Sequence, residues 1–187
     1  MEVDTSTWTP RVPAKYRDRA PETRRVDDET DALFIDGKMI GPAKGSGALV
    51  AVQWVLSGLF DRFPDLRILF AKNQIGWIPF FLQGADARYE KNRHWAERFL
   101  GFEPLKAMPS EYLLRHTAWG FQYDRVGVEV RHLLNVDNLI WGSDFPHQES
   151  DWPHSMGIIE KAFENAPADV RKRMTCENAV EFFHLKE

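Results

Sequence analysis

The sequence predicts an α/β fold with a parallel sheet, and two observations lead to this prediction. After residue 47, three short apolar runs typical of buried strands alternate with longer stretches whose apolar residues recur at helical spacing. Such alternation is the signature of βαβ units, in which helices connect parallel strands. The chain has 187 residues, 43% of them hydrophobic, which is enough for one core or two modest domains.

Residues 1–47 differ in character from the rest of the chain. They are rich in proline and charge, and they contain one strand-like run, A-L-F-I at residues 32–35, before a turn at Asp36-Gly37. We expect this region to form an extended N-terminal arm and residues 48–187 to form the α/β part.

The elements of the α/β part follow from spacing and from the positions of proline. A helix is predicted from residue 48 until Pro64 ends it, and L-R-I-L-F-A is the first strand candidate. A long helix begins near Gly76 and Pro79, because proline is tolerated in a first helical turn. L-R-H-T-A-W-G-F holds the second strand candidate and N-L-I-W the third, with a short helix at V-G-V-E-V-R-H-L-L between them. Helices at 153–165 and 168–184 complete the prediction.

Composition argues against nucleic acid and membrane as partners. The chain carries 24 basic and 28 acidic residues, a net charge of −4, without a basic stripe that would track a phosphate backbone. Its apolar windows are shorter than the ~20 residues of a membrane-spanning helix. Cys176 is the single cysteine, and no signal-peptide pattern opens the chain, so we expect a cytoplasmic protein.

The stretch W-G-S-D-F-P-H places an aspartate, Asp144, directly after the third strand candidate. Chemistry in parallel α/β sheets collects at the carboxyl ends of the strands, where loops present side chains to a pocket. A carboxylate there can bind a cation or act as a general base. The alternative is that Asp144 only completes the turn, since Gly-Ser-Asp is also ordinary turn chemistry.

Histidines provide further candidates. His147 and His154 lie with Glu149 and Asp151 in one polar loop, which has metal-ligand residue types but no known zinc spacing. A plain polar loop is the alternative. His116 lies at the second strand candidate, where it could point into a pocket, or pack beside Trp119 with its hydrogen bonds satisfied in the core.

Three ordered stretches resemble the amidohydrolase-related family, which includes the aminocarboxymuconate semialdehyde and resorcylate decarboxylase groups. The stretches are F-P-D-L-R-I-L-F-A-K-N-Q-I-G-W-I-P-F-F-L, D-R-V-G-V-E-V-R-H-L-L-N-V-D-N-L-I-W-G-S-D-F-P-H and E-N-A-V-E-F-F. The resemblance covers the chain from about Ala48 to the C-terminus, and W-T-P-R-V-P-A-K-Y-R-D-R-A-P separately resembles the family's N-terminal arm.

The resemblance implies a (β/α)8 TIM barrel with one divalent metal, zinc or manganese, at the strand mouths. Asp144 takes the position of the aspartate after the eighth strand, which implies a metal ligand, a proton shuttle, or both. His116, His147 and His154 are secondary candidates for binding the substrate or orienting Asp144. The implied reaction is metal-dependent hydrolysis or decarboxylation of a small carboxylated or aromatic molecule.

The chain also departs from the family pattern. No H-x-H or E-x-H pair stands near Met1, and only a short run separates the arm from the first helix, so most of the first five strands and their ligands are missing. Lys72 stands where relatives commonly carry a glutamate or histidine, and a lysine there would compete with a cation. The resulting prediction is an incomplete TIM barrel that contains about the last three strands.

Three hypotheses follow from these departures. In the first, the chain is a metal-dependent enzyme whose barrel is completed by a partner chain; a second copy would cover the exposed sheet edges. In the second, it is a non-catalytic remnant or interaction module in which Asp144 is structural. In the third, the sequence is an incomplete reading of a longer enzyme gene.

Overall fold

The computed structural model describes residues 25–27, 32–35, 38–42 and 47–185. The chain divides into two compact units, Met1–Ala43 and Lys44–Glu187. The first contains three antiparallel strands in the order β1-β2-β3. They are β1 (Arg25–Asp27), β2 (Ala32–Ile35) and β3 (Lys38–Pro42). The strand predicted at 32–35 is confirmed as β2, while most of the predicted arm lies outside the described residues.

The second unit alternates helices with three strands, as the sequence predicts. Its strands are β4 (Ile68–Phe70), β5 (Thr117–Phe121) and β6 (Leu139–Trp141). Its helices are α1 (Gly47–Leu56), α2 (Leu59–Arg62), α3 (Ile78–Leu100), α4 (Pro109–His116), α5 (Arg125–Glu129), α6 (Ser155–Ala162), α7 (Ala168–Lys172) and α8 (Asn178–Phe182). A π-helical stretch, Arg173–Glu177, joins α7 to α8.

The three strands of the second unit form a parallel sheet in the order β4-β5-β6. Phe70 is opposite Trp119, and Phe121 is opposite Trp141, so the strands end close to one another along one edge. The predicted α/β class with a parallel sheet is confirmed. Within the described residues, β4 and β6 each pair on one side only.

The first predicted helix is two helices in the structure. Gly58 has a left-handed backbone with φ of 70°, and this conformation interrupts the helical path between α1 and α2. A single turn residue therefore divides a stretch that helical spacing alone predicts to be continuous.

Helix α4 was not predicted, and it changes the assignment of His116. Proline at its first position and the Glu111 carboxylate, which accepts from Met108 N at 3.0 Å, define where the helix begins. The helix continues through His116, so the strand begins one residue later than that histidine, at Thr117. Apolar periodicity could not separate a helix that runs directly into a strand.

The core lies between the sheet and its helices. It includes Val55 and Phe60 from α1 and α2, Ile78 from α3, and Trp119 from β5, each less than 5% exposed. Asn178 of α8 is also buried, and its side-chain amide donates to the carbonyls of Val136 and Leu139 at 2.7 and 2.8 Å. This pair of bonds fixes the start of β6 against the last helix.

Among the described residues, none of the helices combines the length and the apolar character needed to cross a membrane.

Candidate functional site

The candidate site lies at the carboxyl edge of the parallel sheet. Lys72 follows β4, Gln122 follows β5 and Asp144 follows β6, each within three residues of its strand. Because the strands are parallel and in register, these three loops meet at one edge.

The loop after β4 has a strained path that neighbouring groups hold in place. Lys72 and Gln74 both have φ of 57°, a left-handed conformation that costs free energy in residues other than glycine. Asp124 stabilises the loop, because its Oδ2 accepts hydrogen bonds from the backbone N–H groups of Ile75 and Gly76 at 2.6 and 2.7 Å. Its Oδ1 accepts from Gly127 N at 2.7 Å and caps α5.

Close approach of the backbone at Gly120 sets the position of Lys72. A Cβ atom at Gly120 would lie 3.0 Å from Ala71 Cα and 3.3 Å from Lys72 N. Asn73 N also donates to Gly120 O at 3.0 Å, which extends the pairing of β4 and β5 into the loop. A side chain at this position would require the neighbouring backbone to shift by a few tenths of an ångström.

The loop after β6 is held by the ends of the other strands. Gly142 N donates to Phe121 O at 2.9 Å, and Asp151 N donates to Ser143 O at 2.9 Å. The Gln122 amide donates to Asp151 Oδ1 at 2.7 Å. Asp144 has φ of 61°, so its backbone is also left-handed.

Lys72, Asp144 and His147 form one cluster at this edge. Lys72 Nζ lies 2.8 Å from Asp144 Oδ1 and 2.8 Å from His147 Nδ1. The Asp144 side chain is 12% exposed, whereas those of Lys72 and His147 are 36% and 54% exposed. The carboxylate is therefore the least exposed member, and the other two face solvent.

Hydrogen-bond geometry assigns the tautomer of His147. An ammonium group has three donors and no acceptor, so His147 Nδ1 must accept the bond from Lys72. The imidazole is then neutral, with its proton on Nε2. Nδ1 lies 3.9 Å from Asp144 Oδ1, and this separation is not an ion pair in that tautomer.

The predicted site residues separate into two groups. Asp144 and His147 meet in the cluster. His154 is exposed and precedes α6, and its backbone N–H donates to Asp151 O at 2.8 Å. His116 precedes β5 and so lies at the opposite end of that strand from the cluster. Its Nδ1 contacts Leu66 O at 2.9 Å, and the residue is buried. His116 is therefore a core histidine with a satisfied hydrogen bond and does not line a pocket at the carboxyl edge.

His116 is held in the core by ring stacking as well as by its hydrogen bond. Its ring stacks on Phe60 with centroids 4.5 Å apart, and 3% of the residue is exposed. A histidine next to a strand can lie at the amino end or at the carboxyl end of that strand. Helix α4 runs through His116 and so places it at the amino end of β5, which the sequence alone did not determine.

Three further residues shape the cluster, and of these the sequence analysis named only Asp151, as a member of the polar loop that contains His147. Gln122, Asp124 and Asp151 position the loops on which Lys72 and His147 lie. Asp124 has a local signal, an aspartate at the start of a predicted helix, but its bonds to the β4 loop depend on tertiary structure. Gln122 has no such signal, and the composition of the polar loop pointed to Asp151 without indicating its contact with Gln122.

Two polar atoms at this edge lack a partner among the described residues. They are Trp141 Nε1 and Asp151 Oδ2, and both are buried.

The chain resembles known proteins in sequence profile and in fold. Residues 47–185 match the sequence profile of the amidohydrolase family. No curated protein matches the chain by sequence. Among solved structures, 5-carboxyvanillate decarboxylase from Sphingomonas paucimobilis is 27% identical with a TM-score of 0.65, and the match covers 95% of this chain and 48% of that chain.

Two further decarboxylases are similar in fold. Dihydroxybenzoic acid decarboxylase from Polaromonas sp. JS666, solved with manganese and 2-nitroresorcinol, is 18% identical with a TM-score of 0.61, covering 94% of this chain and 48% of that one. 5-Carboxyvanillate decarboxylase from Novosphingobium aromaticivorans, also solved with manganese, is 17% identical with a TM-score of 0.63, covering 82% and 46%. The chain spans about half the length of these relatives.

The described residues do not fit the manganese ion of these relatives. No three His, Cys, Asp or Glu side chains in the described part of the chain are grouped so that they could hold a metal. Asp144 Oδ1 contacts the Lys72 ammonium, and a positive charge at this distance opposes a second cation. One carboxylate and one imidazole are also fewer donors than a transition-metal site requires.

Proposed function

The chain belongs to the amidohydrolase family, and from that premise we propose that it acts as a carboxy-lyase on a small aromatic carboxylate. The family resemblance found in the sequence is confirmed by the profile match over residues 47–185. The observation that supports the reaction is the Lys72–Asp144–His147 cluster at the carboxyl edge of the sheet, in a chain similar to decarboxylases of phenolic acids.

The cluster provides a cation that can bind a substrate carboxylate. Lys72 Nζ uses two of its three donors, on Asp144 and His147, and the side chain is 36% exposed. The third donor can reach an incoming carboxylate. The exposed imidazole of His147 carries its proton on Nε2 and can donate to a second oxygen of the same substrate.

Asp144 is the group that can move a proton. In the proposed reaction its carboxylate accepts the proton of a ring hydroxyl next to the substrate carboxylate. The same proton then passes to the ring carbon that bears the carboxylate, the carbon–carbon bond breaks, and CO2 leaves while the electron pair stays with the ring. Asp144 returns to the carboxylate form, so the cycle needs no added oxidant or reductant.

Two similar decarboxylases were solved with manganese, and a divalent metal can polarise a substrate oxygen. The described residues of this chain do not provide a ligand set for it. We expect turnover by the chain alone to be slow compared with a complete barrel, as the sequence predicts from the missing strands. Hydrolysis by the same cluster is the second reaction open to this family.

We also propose that the chain forms a homo-oligomer. Because β4 and β6 each have a free side within the described residues, a second copy of the chain could cover a sheet edge. Analytical ultracentrifugation over a range of protein concentrations tests this: a single species at monomer mass throughout would exclude it.

The reaction is tested by measuring CO2 release from 2,6-dihydroxybenzoate and 5-carboxyvanillate by the purified chain. We expect release that falls by about a hundredfold or more in Asp144→Asn, the range expected for loss of an acid–base group. Lys72→Met should also lower the rate, because it removes the cation proposed to bind the substrate carboxylate. Lys91→Met, on the exposed face of α3, is its matched control and should keep the wild-type rate. Folded protein that releases no CO2 from either acid, or full activity in Asp144→Asn, would exclude the proposal.

A further inference from the structure

We infer that the Lys72 ammonium is the resident cation of this site, and that it occupies the contact through which Asp144 would otherwise ligate a divalent metal. Lys72 contacts one metal-ligand atom of each neighbour, Asp144 Oδ1 and His147 Nδ1. Both lie 2.8 Å from Lys72 Nζ.

A metal at these atoms would have to displace the lysine. Metal–ligand bonds of about 2.0–2.2 Å to the same oxygen and nitrogen would place the ion in the space between them and Nζ. The ammonium would then lose both of its partners and lie beside a doubly positive ion. An ammonium and a divalent cation therefore exclude each other at this carboxylate.

Backbone structure holds Lys72 in this position. Its backbone is left-handed, with φ of 57°, and the β4 loop packs closely on Gly120, while Asp124 fixes the amides of Ile75 and Gly76. Side-chain exposure agrees with this picture. Lys72 is 36% exposed, compared with 77% for Lys106 and 72% for Lys172, both of which also lie in ion pairs.

The charges of the cluster balance within the chain itself. Lys72 carries one positive charge, Asp144 one negative charge, and His147 is neutral in the tautomer assigned above. Asp144 is only 12% exposed, and a carboxylate removed from water to that extent needs a partner of opposite charge. The lysine supplies that partner from within the chain.

Manganese binding tests the inference directly, through the electron paramagnetic resonance signal of free Mn²⁺. Wild-type protein should leave the signal of added Mn²⁺ unchanged. Lys72→Glu replaces the ammonium with a third donor beside Asp144 and His147, and we expect its Mn²⁺ affinity to exceed that of wild type by at least about tenfold. Adding Asp144→Asn to Lys72→Glu should remove this gain.

Matched variants separate this site from a general charge effect. Lys91→Glu makes the same change of charge on the exposed face of α3 and should bind no more Mn²⁺ than wild type. Circular dichroism confirms folding of each variant. If Lys72→Glu fails to fold, Lys72→Gln takes its place, since it removes the cation, offers its amide oxygen as a third donor and must also raise Mn²⁺ binding above wild type.

Two results would overturn the inference: stoichiometric Mn²⁺ bound by wild type and lost in Asp144→Asn, or no gain in the folded Lys72 variant. The inference is independent of the proposed decarboxylation, because Mn²⁺ binding is measured without substrate. A chain without decarboxylase activity can therefore still confirm it, and an active chain can still refute it.

Discussion

Lys72 Nζ and Asp144 Oδ1 lie 2.8 Å apart and join the loop after β4 to the loop after β6. The pair spans the full width of the three-stranded sheet, because β4 and β6 are its two outer strands. It therefore links two loops that share no backbone hydrogen-bond ladder.

A double-mutant cycle with Lys72→Met and Asp144→Asn should give a coupling energy of about 1 kcal/mol in urea unfolding. The value is modest because Lys72 is about one third exposed, although Asp144 is largely shielded from water. Coupling should shrink in high salt, since screening weakens exposed ion pairs. Additive single-variant effects at low salt would show that the contact does not stabilise the fold.

Asp124→Asn should lower the free energy of unfolding by about 2–3 kcal/mol. The carboxylate accepts three backbone N–H bonds, from Ile75, Gly76 and Gly127, and a neutral amide with one acceptor oxygen cannot replace them all. Asp65→Asn makes the same chemical change at an exposed position and should alter stability by less than about 0.5 kcal/mol. Equal effects of the two variants in urea unfolding would contradict this role.

Gly120→Ala should destabilise the protein by about 1–3 kcal/mol. The new methyl group would meet backbone atoms, Ala71 Cα at 3.0 Å and Phe70 O at 3.4 Å, and these cannot rotate away as a side chain can. Gly157→Ala in α6 is the control, because its Cβ would meet open space and alanine favours a helix. Thermal unfolding should show opposite shifts, and a raised melting temperature in Gly120→Ala would refute the prediction.

Alkaline pH should destabilise the fold through Tyr112. Burial, together with the hydrogen bond to Asp61 and the negative charge of Asp61, raises the pKa of Tyr112 to about 12, whereas an unfolded tyrosine titrates near 10. Between these values the folded chain holds more protons than the unfolded chain, so the free energy of unfolding falls as pH rises, by about 2 kcal/mol.

Tyr112→Phe removes the titrating hydroxyl and should therefore lack this contribution between about pH 10 and about pH 12. Urea unfolding at a series of pH values measures it in both proteins. Parallel pH profiles for wild type and the variant would show that the Tyr112 hydroxyl does not control alkaline stability.

Sequence reasoning predicts the element order of the second unit but not all of its boundaries. All three strands of the parallel sheet form at the predicted apolar runs. A short apolar run between two helical patterns is too short to form a helix of its own, so it is typical of a buried strand. Helix α4 was missed, since its eight residues run into β5 without a turn to separate them. That omission also left His116 assigned to a strand.

Only part of the candidate site could be predicted from the sequence. Asp144 follows a predicted strand, and parallel topology alone brings it to the edge of the sheet. Its contact with Lys72 depends on two left-handed loop residues and on the close packing at Gly120, which no local pattern encodes. Gln122 and Asp151 position the β6 loop through contacts between segments distant in sequence.

The sequence by itself determined that this chain is a member of an α/β family and that an aspartate, Asp144, follows its third strand in the parallel sheet. Apolar periodicity and the order of motifs can both be read along the sequence without knowledge of tertiary contacts. Tertiary structure decided which cation that aspartate meets. Ion pairing depends on distances of a few ångströms between separate loops, and folding places the Lys72 ammonium, from the chain itself, against Asp144.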